Sequence, residues 1–179
     1  MTKVLYVIPC AAGPAPMVDR LVTLAQAGGW DVWLAPTPSA MDFLDVPTLQ
    51  ALTGHPVRAR YRRPGEAGKL PPADAVIVAP ATYNTINKWA AGAADTHALG
   101  LLAELTPSDI PIAVLPFVNA SLAANRVFGR SVKSLREEGV TILMDERELM
   151  PHPAGSGDSR LDSFPWEAAL AVVEASTRG

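Results

Sequence analysis

Residues 75–88 read AVIVAPATYNTINK, a stretch that predicts a core strand followed by a helix. Its first part, 75–79, is a continuous apolar run, which is typical of a β-strand buried on both faces of a parallel sheet. Small hydroxyl and amide residues follow, and a helical pattern begins at Asn84. In open α/β sheets, ligands bind where such a turn leaves the carboxyl end of a core strand. The free N–H groups at the start of the helix suit an anionic group such as a phosphate.

Segments typical of strands and segments typical of helices alternate on both sides of this stretch. The strand patterns lie at residues 4–9, 31–35, 57–60, 76–79, 112–118 and 140–144. The helical patterns run from Met17 to Gly28-Gly29, from about Ala40, from Asn84, across 121–138 and from 164–166 onward. This alternation predicts an α/β fold, a Rossmann-like three-layer sandwich with a parallel doubly wound sheet. No repeat or long linker divides the chain, so we expect one domain over residues 1–179.

The composition excludes several classes of function. The chain has 179 residues, of which 49% are hydrophobic and 18% charged, and its formal net charge is −3. This balance provides neither the basic surface of a nucleic-acid-binding protein nor a polybasic face for membrane lipid. The single cysteine excludes an internal disulfide, and the apolar residues 4–8 are too few to span a membrane. We therefore expect a cytoplasmic protein whose partners are neither nucleic acids nor membranes.

Residues 80–85, PATYNT, resemble the PASANT motif of the homo-oligomeric flavin-containing cysteine decarboxylases. This family includes the lantibiotic peptidyl-cysteine decarboxylases and the phosphopantothenoylcysteine decarboxylases. Thr82 replaces the Ser of the motif and Tyr83 replaces its Ala, and the match continues through Ile86-Asn87-Lys88, Gly92 and Asp95. The resemblance implies a flavodoxin-like fold, FMN as the cofactor, and oxidative decarboxylation of a cysteine-derived carboxylate on a small molecule or a peptide. It also implies a homo-oligomer, either a trimer or a dodecamer of trimers, with the flavin between subunits.

Three turns are candidates for contact with FMN. Within the family, the loop after the first strand lies against the flavin and a Ser-containing turn after the second strand holds its phosphate; the matching segments here are residues 10–15 and 37–39. Residues 10–15 lack a GxGxxG pattern, which argues against a dinucleotide site, and an ordinary tight turn remains an alternative. Ser39 is also predicted to cap the helix that begins near Ala40. We expect Cys10 to be a small buried residue rather than a nucleophile. The candidate cofactor residues are Cys10, Gly13, Ser39, Pro80, Ala81, Thr82, Asn84 and Thr85.

A second motif indicates the substrate side of the site. Residues 116–119, PFVN, are similar to the start of the family's PxMNxxMW pattern, and Pro116 and Asn119 match it. The resemblance implies that Asn119 contacts the substrate carboxylate, which makes it the candidate catalytic residue, although Asn after a strand is also a common turn residue. The replaced positions are Val118 and Leu122, which stand for Met, and Ala123, which stands for Trp.

The family also has a mobile clamp over the substrate, formed late in the chain. Residues 154–160, with Gly155, Ser156 and Gly157, are the candidate for it, and an ordinary connecting loop is the alternative. Together with Pro116 and Asn119, these three residues are the candidate substrate contacts.

Histidine is the main departure from the family. The catalytic His of the decarboxylases falls at about residues 65–69, which read GEAGK, so Glu66 is a conceivable substitute. The three histidines are His55, His97 and His152, and none has a pattern that indicates a base. No HExxH or CxxC motif is present, so we predict no metal.

Three functions therefore remain. The first is an FMN-dependent decarboxylase, and the second is a non-catalytic or divergent FMN-binding protein that lacks the family His. The third, a flavin prenyltransferase, is disfavoured because the first loop is not Gly-Ala-Ser-Gly-Ala-like. Trp89 and the small residues Ala90-Ala91-Ala94 are compatible either with an oligomer interface or with the core.

Overall fold

A computed structural model describes residues 2–63, 65, 69–144 and 151–177. Its strands form one sheet in the order β2-β1-β3-β4-β5, and all four pairings are parallel. The strands are β1 (Lys3–Val7), β2 (Trp30–Leu34), β3 (Ala75–Ala81), β4 (Ile112–Pro116) and β5 (Thr141–Ile142). The helices are α1 (Val18–Ala27), α2 (Val46–Thr53), α3 (Tyr83–Ala90), α4 (His97–Leu105), α5 (Ala120–Ala123), α6 (Arg126–Glu137) and α7 (Trp166–Thr177). The predicted parallel sheet is confirmed.

Helices cover both faces of the sheet. Along β3, Ile77 and Ala79 belong to a buried cluster that includes residues of α1 and α7. Val76 and Val78 point to the other face, where a second cluster includes residues of α3, α4 and α6. Because successive strand residues point to opposite faces, an entirely apolar strand such as β3 requires an apolar layer on each side. The predicted three-layer, doubly wound arrangement is therefore confirmed.

Two predicted elements differ in the structure because polar groups take up backbone bonds. Residues 57–60 are not a strand. The N–H of Val57 donates to Gln50 Oε1 (3.2 Å), so the segment meets β2 through the bond from the N–H of Arg58 to the Leu34 carbonyl (3.1 Å) without forming a ladder. The single helix predicted over 121–138 is divided into α5 and α6. Asn125 lies between them and accepts a hydrogen bond from the N–H of Val127 (2.9 Å), which caps the second helix.

The predicted cap at Ser39 is wrong. Residues 38–43 form a 3-10 segment opened by Pro38, and Ser39 lies inside it rather than at an N-cap. The next α-helix, α2, begins later, and its cap is Asp45, whose carboxylate accepts from the N–H of Thr48 (3.2 Å). Proline is suited to the first position of a helical segment. Because Pro38 takes that position here, Ser39 is the second residue of the segment and cannot be its N-cap.

Trp89 belongs to the core. Its side chain is buried, and its indole N–H donates to the hydroxyl of Thr106 (2.8 Å), which in turn donates to the Leu102 carbonyl (2.6 Å). Ala91 and Ala94 are exposed. Of the two roles left open for Trp89, the structure therefore supports packing between α3 and the end of α4.

Replacing Thr106 with valine is expected to lower the free energy of unfolding by about 1–3 kcal/mol, because valine keeps the volume but leaves the buried indole N–H without an acceptor. Urea denaturation followed by tryptophan fluorescence measures this change. Ser108→Ala is the matched control, since Ser108 also donates to a carbonyl of α4 but is exposed. Equal stability of the two variants would contradict the prediction.

Candidate functional site

A cleft of about 630 Å³ opens at the carboxyl ends of four strands. Its walls come from the loops that follow β1, β2, β3 and β4. In the observed order, β2 and β3 lie on opposite sides of β1, so the connections diverge between β1 and β3. This divergence is the switch point at which doubly wound sheets bind ligands, and flavodoxin-like sheets of this order bind FMN there.

The start of α3 forms one wall of the cleft. Thr82 is its N-cap, with Oγ1 accepting from the N–H of Thr85 (3.3 Å), while the N–H of Ile86 donates to the Thr82 carbonyl (3.0 Å). The N–H groups of Tyr83 and Asn84 precede these bonds, and a helix offers such groups no intrahelical acceptor. They lie at the positive end of the helix dipole and are suited to an anion.

The charge of the lining also favours an anion. Lys88, one turn beyond Asn84, lines the cleft and pairs with Asp95 (2.5 Å), and hydrogen bonding by Lys88 lowers the pKa of that carboxyl. Among the residues that the structure describes, no Asp or Glu lines the cleft. Ala11 and Ala12 of the loop after β1 line it with small side chains, which allows the backbone close approach to a flat ligand.

The predicted cofactor residues divide into two groups. Four of them line the cleft: Ser39, Thr82, Asn84 and Thr85. The others lie behind its surface and connect the loops. Pro80 accepts from the N–H of Cys10 (2.9 Å), Ala81 accepts from the N–H of Phe117 (2.8 Å), and a Cβ on Gly13 would lie 2.7 Å from Leu161 Cδ2. These four positions support the walls through backbone bonds and close packing.

Cys10 is fully buried beneath the cleft, as expected for a small core residue. Burial raises the pKa of its thiol, and hydrogen bonds with Thr85 and Thr82 partly oppose that shift. A protonated, inaccessible thiol does not act as a nucleophile. Cys10 therefore contributes to the packing under the α3 turn.

Asn119 is a helix cap at the end of the loop after β4 and also lines the cleft. Its Oδ1 accepts from the N–H of Leu122 (2.9 Å), which caps α5, and the residue lines the cleft. Its side-chain NH2 group makes no hydrogen bond to any described residue. A donor of this kind can bind a carboxylate while the other end of the amide holds the helix.

The other predicted substrate residues lie farther back. Pro116 is buried at the end of β4 and contributes to a smaller cavity rather than to the cleft. Ser156 donates to the Pro153 carbonyl (2.9 Å), and Gly157 begins a 3-10 turn, Gly157–Arg160, beside Phe117. Gly155 is exposed, with φ +80. Residues 155–157 are thus not among the residues that line the cleft, and the lining residues to which the motifs assigned no role include Phe117, Lys88 and His152.

The three histidines have different surroundings. His55 stacks on Trp33 (3.8 Å between ring centroids) and bonds to Asp31 (2.6 Å), outside the cleft. His97 bonds to the Arg58 carbonyl (3.2 Å), and His152 lines the cleft. Residues 66–68, including Glu66, lie outside the described residues.

His97 should make stability depend on pH. Burial lowers the pKa of His97 below its ordinary value of about 6.5, although the bond to Arg58 opposes this. Below about pH 6.5 the unfolded chain therefore binds a proton that the folded chain does not yet bind, so stability falls as the pH is lowered. Urea denaturation at pH values from about 7.5 to 5 should show a shallower decline for His97→Gln than for the unmodified protein. Identical slopes would contradict this assignment.

Two kinds of feature are absent from the described residues. No three His, Cys, Asp or Glu side chains in the described part of the chain are grouped so as to hold a metal ion. Within the same residues, no helix combines the length and apolar character needed to cross a bilayer.

A sequence model of the Flavoprotein family matches residues 4–164, which include every loop of the cleft. The chain belongs to the Flavoprotein family. The coenzyme A biosynthesis bifunctional protein CoaBC of Escherichia coli (strain K12) is 33% identical over 131 residues, 69% of this chain and 31% of that protein. This flavoprotein thus spans about a third of the length of the curated relatives that it matches.

Solved structures share the fold of this flavoprotein. The FMN-dependent cysteine decarboxylase SpaF superposes with a TM-score of 0.74 at 20% identity, covering 100% of this chain and 98% of SpaF. The FMN-binding protein AtHal3 superposes with a TM-score of 0.67 at 18% identity, covering 94% and 98% of the two chains. The resemblance first indicated by PATYNT is confirmed as membership of the Flavoprotein family and as a fold shared with an FMN-dependent cysteine decarboxylase.

Proposed function

We propose that this flavoprotein binds FMN in the cleft at the carboxyl ends of β1 and β3. The observation that carries the proposal is a cleft without described acidic side chains, into which the start of α3 directs its free N–H groups. The hydroxyl of Ser39 and the ammonium of Lys88 add donors suited to a phosphate, and Ala11 and Ala12 leave room for a flat ring. Membership of the Flavoprotein family supports the same cofactor, as does the fold shared with SpaF, an FMN-dependent cysteine decarboxylase, and AtHal3, an FMN-binding protein.

The reaction that fits this site is decarboxylation of a cysteine-derived carboxylate, on a small molecule or at the end of a peptide. FMN, when bound, would supply the two-electron acceptor for oxidation of the substrate. The NH2 group of Asn119 would hold the carboxylate, and Phe117 and Val118 would keep water from that side of the cleft. The FMN-dependent cysteine decarboxylase SpaF has the same fold over 98% of its chain, which supports this reaction class.

The same proposal includes the domain organisation, the cellular location and the assembly of the protein. Residues 1–179 would form one flavoprotein domain that works in the cytoplasm as a homo-oligomer, a trimer or a dodecamer of trimers. Light scattering of the purified protein measures the assembly, and a monomeric flavin-loaded protein would contradict this part.

The first experiment is to purify the protein and record its visible spectrum. Absorption bands near roughly 370 and 450 nm, with FMN released on denaturation, would support the cofactor. Incubation with N-acetylcysteine and with short peptides ending in cysteine, with measurement of released carbon dioxide, then tests the reaction. A colourless protein that takes up no added FMN would overturn the proposal as a whole.

A non-catalytic FMN-binding protein is the second candidate, and one observation favours it. Residues 65–69 contain no His at the place where the decarboxylases carry theirs. AtHal3, described as an FMN-binding protein, has the same fold. A flavin-loaded protein that releases no carbon dioxide from any cysteine carboxylate would favour this alternative.

A further inference from the structure

We propose that His152 is the acid–base residue of this site, provided from the segment after β5 rather than from the loop before β3. The inference rests on the proposed decarboxylation and names a catalytic residue for it. It starts from the position of His152, which lines the same cleft as Asn119 although the two residues are distant in sequence.

The backbone holds His152 beside Asn119. The two residues form a parallel bridge, and the His152 carbonyl accepts from the N–H of Ala120 (2.8 Å), the first residue of α5. A group that binds the NH2 of Asn119 is therefore next to the strand position that carries the imidazole. Because backbone groups form the bridge and the hydrogen bond, the position of His152 does not depend on the side chains next to it in the sequence.

The ring is also oriented. Phe117 packs against it, with 4.7 Å between the ring centroids and 39° between the planes. Nδ1 lies 3.0 Å from the Pro153 carbonyl oxygen. A carbonyl oxygen can only accept, so Nδ1 carries the proton in the neutral ring and Nε2 carries the lone pair.

Gly157 leaves this second nitrogen open. A Cβ at position 157 would lie 3.3 Å from Cε1 and 3.5 Å from Nε2 of His152. Nε2 makes no hydrogen bond to any residue that the structure describes. His152 thus lines the cleft and has an oriented ring whose Nε2 lone pair has no partner among the described residues, as a general base requires.

The chemical step is a proton transfer. The Nε2 lone pair of His152 takes the proton from the thiol of a cysteine-derived carboxylate whose carboxylate is bound by Asn119. The S–H bonding pair stays on sulfur as a thiolate, and the ring becomes an imidazolium with both nitrogens protonated. The imidazolium returns the same proton to the sulfur of the product after carbon dioxide has left, which restores the starting tautomer.

The first test observes the imidazole itself in the full-length protein labelled with 15N-histidine. The chain has three histidines, so each signal is assigned by its loss from the spectrum of one variant: His152→Gln, His55→Gln or His97→Gln. We expect the Nδ1–H tautomer at His152, and a selective shift of its Nε2 signal when N-acetylcysteine is added. An Nε2–H tautomer, or no response of His152 to this compound, would overturn the proposal whatever the activity of the protein.

The second test compares turnover. His152→Gln should release carbon dioxide at least about 100-fold more slowly while its FMN content is unchanged, as expected for loss of a general base. His55→Gln is the matched control and should stay within about twofold. Gly157→Ala keeps the imidazole but places a methyl group against its Cε1–Nε2 edge, so it should fall between the two.

The two proposals fail in different ways. If the unmodified protein decarboxylates cysteine carboxylates and His152→Gln does so at a similar rate, only the assignment of His152 is wrong. If the unmodified protein with bound FMN releases no carbon dioxide, the proposed reaction is wrong, and the nitrogen spectra decide whether His152 contacts the thiol ligand.

Discussion

Replacing Asn119 with aspartate is expected to lower kcat/KM for release of carbon dioxide by at least about 100-fold while FMN remains bound. The change keeps an oxygen that caps α5 by accepting from the N–H of Leu122, and it removes the NH2 group that would hold the substrate. A hydrogen bond to a charged group is worth roughly 1.5–3 kcal/mol, and a second carboxylate adds repulsion. Steady-state kinetics with N-acetylcysteine measures the loss.

Asn125 offers a matched control for this substitution. It caps the neighbouring helix α6 in the same way, through Oδ1 and a backbone N–H (2.9 Å), but it does not line the cleft. Asn125→Asp should therefore leave kcat/KM within about twofold. If both variants lose activity equally, the added negative charge and not the loss of the Asn119 NH2 group is responsible; if neither does, the carboxylate is held elsewhere.

Replacing Asn84 with aspartate is expected to change stability and FMN binding in opposite directions. Asn84 is exposed in the first turn of α3, where a negative charge favours the helix dipole by about 0.3–1 kcal/mol. The same charge would repel the FMN phosphate at the helix start, and two like charges about 4 Å apart near a protein surface interact by up to about 4 kcal/mol. We expect FMN affinity to fall by about 10–100-fold, as measured by fluorescence titration of the flavin-free protein.

Val127 provides the control, because it occupies the corresponding exposed position in α6. Val127→Asp should leave FMN affinity unchanged. Raised salt should reduce the difference between Asn84→Asp and the unmodified protein, since it screens charges at the surface. An Asn84→Asp protein that binds FMN as tightly as the Val127→Asp protein would show that the phosphate lies away from α3.

The elements that were predicted correctly depend on local patterns. The apolar run of β3 and the polar turn after it are adjacent in sequence, and the capping contact between Thr82 and Thr85 spans three residues. Errors arose where a side chain bonds its own backbone or where a proline changes the start of a segment. Asn125 divides a helix for the first reason, and Pro38 moves the expected cap at Ser39 for the second.

The site was predicted in part. Ser39, Thr82, Asn84, Thr85 and Asn119 line the cleft, and the motifs had indicated them all. Lys88 was inside a matched motif but had no role assigned, whereas His152 was placed near the candidate clamp but no pattern indicated that it is a base. Nothing near position 152 in the sequence distinguishes a loop histidine from one that faces a cleft, because its place is set by backbone bonds to residues more than thirty positions earlier.

The alternation of strands and helices, the helix start after β3 and the family to which these motifs point could all be predicted from the sequence, since each depends on residues close together in the chain. Which distant loops meet could not be predicted in this way, because it depends on how the strands are ordered in the sheet. Parallel strands place their carboxyl ends at one edge of the sheet, and the order β2-β1-β3-β4-β5 brings Ser39, Asn84 and Asn119 to that edge. Packing against Phe117 and the bridge to Asn119 then place His152 in the same cleft, because contacts between elements depend on topology and not on spacing along the chain.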